Sequence, residues 1–260
     1  MAGQFIWYEL MTPDPLGAAA FYGAVVGWTI PGIGHDMPTG ANYRMIGRPD
    51  GGNAGGVLQL TPAMLDHGAR PLWIGYVETP DVAASIAQVI AAGGSVLMPE
   101  QELPAGRMAM VSDPFGAPFY LMDPTPPPGQ PDAVSDVFSE TATHRCGWNE
   151  LACPDAEAAL GFYTGLLGWE SPSAMDMGPL GQYHFIGHNG VPIGGIYRSA
   201  DGGSPGWTFY FRVPDIHAAT AAIPAHGGTV THELHEVPGG DWTVMATDPQ
   251  GAAFALVGRP

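Results

Sequence analysis

Two glutamates stand where a strand would carry apolar side chains. Glu9 lies in Trp7-Tyr8-Glu9-Leu10-Met11, and Glu150 lies in Trp148-Asn149-Glu150-Leu151-Ala152. A strand turns alternate side chains to opposite faces, so Glu9 shares a face with Trp7 and Met11, and Glu150 shares one with Trp148. A carboxylate on such a face is costly unless it is paired with arginine or with backbone N–H groups. Arg44, Arg107, Arg198 and Arg212 are available as partners. The functional alternative makes each glutamate a polar anchor for a ligand, or a general base of raised pKa. All eight basic residues are arginine. A Schiff-base lysine and the lysine of a phosphate-binding loop are therefore excluded.

The net charge of −17 argues against nucleic acid and anionic membrane as partners, because neutralising phosphates needs clustered cations. The chain has 38 glycines and 27 prolines, which points to short strands and many turns. Cys146 and Cys153 flank one predicted strand. Seven extended residues span roughly 23 Å, whereas a disulfide needs Cα atoms within about 7 Å. Free thiols are expected, in keeping with a cytoplasmic location. No signal peptide or membrane span is read, and the expected state is monomer or homodimer.

The elements that position the glutamates occur twice. Trp7, Phe21-Tyr22 and Gly27-Trp28 return as Trp148, Phe162-Tyr163 and Gly168-Trp169, each 141 residues later. Asp14-Pro15 predicts a helix start, with a capping carboxylate and then proline. Ala18, Phe21, Tyr22 and Val25 form one face of that helix. Strands are predicted around Tyr43–Ile46 and Val57–Leu60, giving a β-α-β-β-β segment. The pattern restarts with a strand over Leu72–Val77 and a helix capped by Asp81 with apolar positions Val82, Ile86, Val89 and Ile90. Strands follow near 95–98, 107–112 and 117–122, with a turn at Asp113-Pro114-Phe115-Gly116. Residues 124–131 form a proline-rich linker. The second half repeats this plan: Gly194-Gly195-Ile196 matches Gly55-Gly56-Val57, and Asp248-Pro249-Gln250-Gly251 matches the Asp113 turn. Pro224 is expected to end the last helix early. The prediction is an α+β protein with four β-α-β-β-β modules, paired into domains at 1–123 and 144–260 around a 124–143 linker. Whether modules pair as neighbours or first with fourth stays open.

Paired β-α-β-β-β modules, a strand-Pro-Asp-helix opening, Phe-Tyr on the first helix, Gly-Trp after it and a late Asp-Pro-x-Gly turn resemble the glyoxalase/bleomycin-resistance/extradiol-dioxygenase superfamily, also called vicinal oxygen chelate. Among its tandem forms the chain looks most like actinobacterial antigen and "hydroxylase"-type members. The resemblance implies tandem glyoxalase-like domains, with two curved mixed sheets and helices outside. It also implies, in metal-using members, one divalent metal held by side chains of the sheet face. The family's first ligand position, seven residues before the helix-capping Asp, holds Trp7 and Trp148 here. On the first strand of the second and fourth modules the matching place is taken as Trp73 and Trp207. The late position holds Tyr120 and Ala255, and the remaining one falls near Gln59 and Arg198. Tryptophan cannot ligate, so no metal and no other cofactor is expected. His184 and His188 straddle a strand end, and His232 and His235, three apart, are expected on opposite strand faces.

What remains is a set of aromatic positions, Trp7, Trp73, Trp148 and Trp207, with Tyr120, Gln59, Arg107 and Arg198 as further ligand contacts and Glu9 and Glu150 as catalytic candidates. The tryptophans either plug the sheets as core or line pockets for a flat or apolar small molecule. Three functions stay open: a metal-free small-molecule binding protein; a lyase, isomerase or oxygenase that uses Glu9 or Glu150 as acid or base, with or without a divalent metal; and an interaction protein with filled pockets.

Overall fold

A computed structural model of the chain describes residues 3–37, 40–200 and 203–260. The first half forms strands β1 (Phe5–Thr12), β2 (His35–Asp36), β3 (Asn42–Gly47), β4 (Asn53–Gln59), β5 (Leu72–Glu78), β6 (Ser95–Leu103), β7 (Gly106–Ser112) and β8 (Pro118–Pro124), with helices α1 (Pro15–Val25), α2 (Pro62–Asp66) and α3 (Val82–Ala91). These strands make one mixed sheet in the order β2-β3-β4-β1-β5-β8-β7-β6. The second half forms β9 (Cys146–Cys153), α4 (Ala156–Leu167), β10 (Glu170–Asp176), β11 (Gln182–His188), β12 (Val191–Arg198), β13 (Gly206–Val213), α5 (Ile216–Ala225), β14 (Thr229–Glu236), β15 (Trp242–Thr247) and β16 (Ala253–Gly258). Its sheet runs β10-β11-β12-β9-β13-β16-β15-β14, the same plan. No helix among the described residues is long and apolar enough to cross a membrane.

One device opens all four long helices. Asp14, Asp81, Asp155 and Asp215 each accept the N–H of the residue three further on, at 2.9–3.1 Å. On α1 the buried residues include Ala18, Phe21, Tyr22 and Val25, as the periodicity predicts. On α3 the inward face is rotated from the predicted one. Ser85 is buried through a 2.6 Å hydrogen bond to Thr79, and Ile90 is left 56% exposed. Pro224 lies in the last turn of α5, which stops at Ala225.

The chain packs as two compact units that cut across the sequence order. One combines Trp7–Ile74 with Asp136–Trp148 and Thr208–Pro260, so the first module packs with the fourth. The other combines Gly75–Ser135 with Asn149–Trp207 and the start of β1, so the second module packs with the third.

In the first-plus-fourth unit, Tyr8 of β1 meets Phe209 and Phe211 of β13, with centroids 5.1 and 6.4 Å apart. Trp73 packs on Phe211 at 4.6 Å and on Tyr22 at 5.4 Å. The fully buried Tyr22 joins these layers through its hydroxyl. It accepts from Trp73 Nε1 at 2.8 Å and donates to Asp248 Oδ2 at 3.1 Å. The other oxygen of Asp248 accepts the N–H groups of Gln250 and Ala252 at 2.9 Å, holding the Asp-Pro-x-Gly turn closed. Burial pushes the Tyr22 phenol well above its usual pKa, so it stays a donor. Trp28 of the Gly-Trp pair donates to the carbonyl of His144 at 2.9 Å.

The second-plus-third unit repeats this arrangement. Trp207 Nε1 donates to the Tyr163 hydroxyl at 3.1 Å, and Tyr163 donates to Asp113 Oδ2 at 3.1 Å. Asp113 Oδ1 accepts from Phe115 and Ala117, each at 2.9 Å. Trp169 donates to the carbonyl of Gly3 at 2.6 Å. Gly3 and His144 are 141 residues apart and both have positive φ, 95° and 63°, so the same chain reversal precedes each first strand. Burial raises the carboxyl pKa of both Asp113 and Asp248.

The stretch after the prolines is pinned by charge. Arg48, 6% exposed, contacts Asp50 at 3.0 Å and Asp136 at 2.6 Å, and Arg145 reaches the same two carboxylates at 2.8 and 3.0 Å. Cys146 and Cys153 are free and buried, and burial pushes both thiols up to about 12, which leaves them unreactive.

Tyr22→Phe and Tyr163→Phe each orphan an indole N–H and a buried carboxylate oxygen. Each is expected to cost about 1–3 kcal/mol in chemical denaturation, and because they act in separate units the costs should add. The Gly52 N–H and Arg48 hold Asp50 down to about 2, and Arg48 likewise lowers Asp136. A depressed folded pKa gives stability that is present above the unfolded carboxylate range and lost as pH falls through the folded value. Asp50→Asn should therefore be less stable than the wild type at neutral pH, and the gap should close on acidification towards pH of about 2.

Candidate functional site

The strand register separates the predicted site residues into two classes. Glu9 pairs with Gly56 of β4, and Met11 pairs with Leu58. Tyr43 of β3 pairs with that same Leu58, so Trp7, Glu9, Met11, Tyr43 and Leu58 share one face. Trp7 Nε1 donates to the Tyr43 hydroxyl at 2.7 Å. Glu9 is only 2% exposed.

In the third module Glu150 pairs with Gly195, and Tyr183 pairs with Tyr197. The Tyr183 hydroxyl donates to Glu150 Oε2 at 2.9 Å, and its ring stacks with Tyr197 at 5.9 Å and 16°. Burial first, and then the charge of Glu150, push the Tyr197 phenol up to about 12. The repeated double glycine explains the geometry. A Cβ at Gly55 or Gly194 would strike the backbone of the neighbouring strand at Tyr8 or Asn149. A Cβ at Gly56 or Gly195 would strike the ring of Tyr43 or Tyr183, which lies flat across it.

The remaining aromatic positions form smaller patches. Tyr120 stacks on Tyr76 at 4.1 Å. Trp148 packs against Tyr210, Ala255 and Val257 beside Met245. Arg212 shares the face of Tyr210 and is held by Asp241, with Nη1 at 3.3 Å and Nη2 at 2.5 Å.

Five predicted contacts lie elsewhere. Trp73 and Tyr8 touch the same Phe211, so Trp73 is on the Tyr8 side of the sheet, in the core. Trp207 is likewise in the core, against Tyr163 and Trp169. The positions on the other face, in register with Tyr120 and Ala255, are one residue further on, Ile74 and Thr208. Gln59 pairs with Thr12, and Arg198 with Cys153, so both face away from the glutamates of their own modules. Arg107 pairs with Asp123 and Glu102 and sits between these carboxylates, which disfavours an anion there. The histidines also differ from expectation. His184 and His188 both lie within β11. Irregularities in β14 put His232 opposite Met245 and His235 opposite Thr243, hence on one face instead of two. His235 meets the Thr243 hydroxyl at 3.3 Å.

The family's metal positions thus hold Trp7, Ile74, Tyr120 and, beside Gln59, Leu58 in the first half, and Trp148, Thr208, Ala255 and, beside Arg198, Tyr197 in the second, which do not make a donor set for a divalent ion. Among the described residues no group of three or more His, Cys, Asp or Glu could hold a metal ion. Tyr43, Tyr183 and Tyr197 escaped the sequence reading, although counting strand alternation back from the double glycines would have found the first two.

The chain matches the profile of the Glyoxalase/Bleomycin resistance protein/Dioxygenase superfamily at residues 4–121 and 144–256. It is 30% identical over 256 residues to the "Putative glyoxylase CFP32" of Mycobacterium tuberculosis, covering 96% of this chain and 93% of that protein. It is 32% identical over 124 residues to the anthracycline biosynthesis protein DnrV of Streptomyces peucetius, covering 42% of this chain and 45% of that one. Its fold is similar to that of the 2,2',3-trihydroxybiphenyl 1,2-dioxygenase of Sphingomonas wittichii, with a TM-score of 0.65, 17% identity, and coverage of 99% and 91%.

Alanine at Gly56 or Gly195 must displace the tyrosine ring beside the glutamate. A cost of about 1–3 kcal/mol and an altered near-ultraviolet circular dichroism spectrum are expected. Gly161 and Gly165 of α4 have nothing within 4 Å of a built Cβ, so alanine there should stabilise by about 0.5–1 kcal/mol.

Proposed function

The chain belongs to the Glyoxalase/Bleomycin resistance protein/Dioxygenase superfamily, and from that membership we propose that it binds a flat, hydroxylated aromatic small molecule without using the family's catalytic metal. The observation that carries this reading is the pairing, in both halves, of an aromatic strand face with a single carboxylate beside a tyrosine. Trp7, Glu9 and Tyr43 make one such face, and Glu150, Tyr183 and Tyr197 make the other. Indole and phenol rings present large apolar area with a polar tip, which suits stacking on a planar ring. A carboxylate at the edge accepts a hydrogen bond from a phenolic hydroxyl and gives orientation. The relation to an anthracycline biosynthesis protein supports the same ligand class, since anthracyclines are planar and hydroxylated. The side chains at the family's ligand positions support the metal-free half of the reading.

A second reading has one specific observation in its favour. Glu9 is almost wholly buried on an apolar face, a setting that suits a carboxylate to proton transfer on a bound ligand. In that case the protein is an acid–base lyase or isomerase of the same superfamily.

Titration with a hydroxyanthraquinone should quench tryptophan fluorescence saturably, and prior treatment with EDTA should leave the curve unchanged. Glu9→Gln or Glu150→Gln should weaken binding by about 10-fold or more, the loss of a charge-assisted hydrogen bond. Absence of quenching by any planar hydroxylated aromatic, or loss of binding on chelation, would sink the proposal. Ligand conversion abolished by Glu9→Gln with binding retained would select the second reading.

A further inference from the structure

Arg44 is a buried cation for which the described residues provide no anion. It is 8% exposed and lies on β3 in register with the buried Val57, on the opposite face from Glu9. Its guanidinium donates to Gln59 Oε1 at 3.5 Å and to the Gly32 carbonyl at 3.4 Å, both at the outer limit of hydrogen bonding. Its Nε–H is buried without an acceptor. Among the described residues no carboxylate lies within 4.0 Å of it. The neighbouring buried arginine, Arg48, has two carboxylates, and Arg212 is clamped by Asp241. A buried charge without a counter-ion costs several kcal/mol by general estimates, so a cation held in this way is unusual.

The internal repeat shows what is missing. The counterpart of Arg44 in the third module is His184, which is also buried, and its Nε2 contacts Glu157 Oε1 at 3.2 Å. Glu157 is the second residue of α4, and the second residue of α1 is Leu16, which is 59% exposed. Around His184, Glu157 and Arg198 the third module forms a surface notch of about 450 Å³. One copy of the module therefore supplies its own carboxylate at this place, whereas the other presents the cation with leucine where the carboxylate would stand.

We propose that Arg44 is the seat of a small-anion site in the first module, selective for a carboxylate that takes the place Glu157 holds in the third. The planar guanidinium fork matches two carboxylate oxygens, and Gln59 can add a donor from its amide nitrogen. The site lies across the sheet from Glu9 and does not depend on the aromatic face.

The test is thermal unfolding of the whole protein in sodium acetate, sodium phosphate and sodium chloride at matched ionic strength. Acetate should raise Tm saturably, by roughly 5 °C at a hundredfold excess over Kd, with no such rise in chloride. Leu16→Glu places the missing carboxylate on α1. It should raise Tm in chloride and remove most of the acetate response. Arg44→Met should lose the acetate response while keeping a Tm in chloride at least equal to that of the wild type, because an unpaired buried charge has gone. Equal wild-type curves in acetate and chloride would overturn the proposal, as would a full acetate response in Leu16→Glu. A response to phosphate with none to acetate would overturn the carboxylate assignment.

Discussion

The hydroxyl of a buried tyrosine organises each compact unit. Tyr22 and Tyr163 each stand between an indole N–H and an aspartate whose other oxygen closes a turn. Each relay joins two modules, since Tyr22 belongs to the first and Asp248 to the fourth, and Tyr163 belongs to the third and Asp113 to the second. Hydrogen bonds are directional, so the relay specifies a single register among aromatic surfaces that could otherwise slide. Four motifs of the repeat, the Phe-Tyr helix, the tryptophan of the second strand set, the Asp-Pro-x-Gly turn and the Gly-Trp, thereby become parts of one device. With the core fixed on one side of each sheet, the other side is left to Trp7, Glu9 and Tyr43, and to Glu150, Tyr183 and Tyr197.

The superfamily's usual chemistry and this chain's side chains diverge at defined places. The strand that carries a ligand in metal-using relatives carries Trp7 and Trp148, and the face around it is built from tyrosine and methionine. One glutamate stands on the aromatic face of the first module and one on that of the third. The two halves differ in side chain: Tyr43 is opposite Leu58 in one, whereas Tyr183 is opposite Tyr197 in the other. Duplication has kept the scaffold and let the chemistry of the two faces drift apart.

Much of this was legible in the sequence, and the rest was hidden for physical reasons. The offset of 141 residues, the capping aspartates and the strand alternation at Trp7-Tyr8-Glu9 are local signals, and they place the elements and the faces of β1 and β9. Trp73 and Trp207 were misplaced because strand faces depend on single-residue register, and a count from the helix cap that is off by one puts a side chain on the wrong side. His232 and His235 were misread because a bulge cannot be seen in a residue list. The partnership of first with fourth module rests on contacts between residues more than two hundred positions apart, for which a lone sequence carries no periodicity.

That partnership orders events during synthesis. The aromatic surface of the first module, with Tyr8, Tyr22 and Trp73, cannot be covered until β13, α5 and β16 have left the ribosome, whereas the second and third modules are complete earlier. A nascent chain therefore carries an exposed aromatic patch while the second and third modules are made, and closing it requires contacts of very high sequence separation, which form slowly. The core of the first module therefore waits on the synthesis of the fourth.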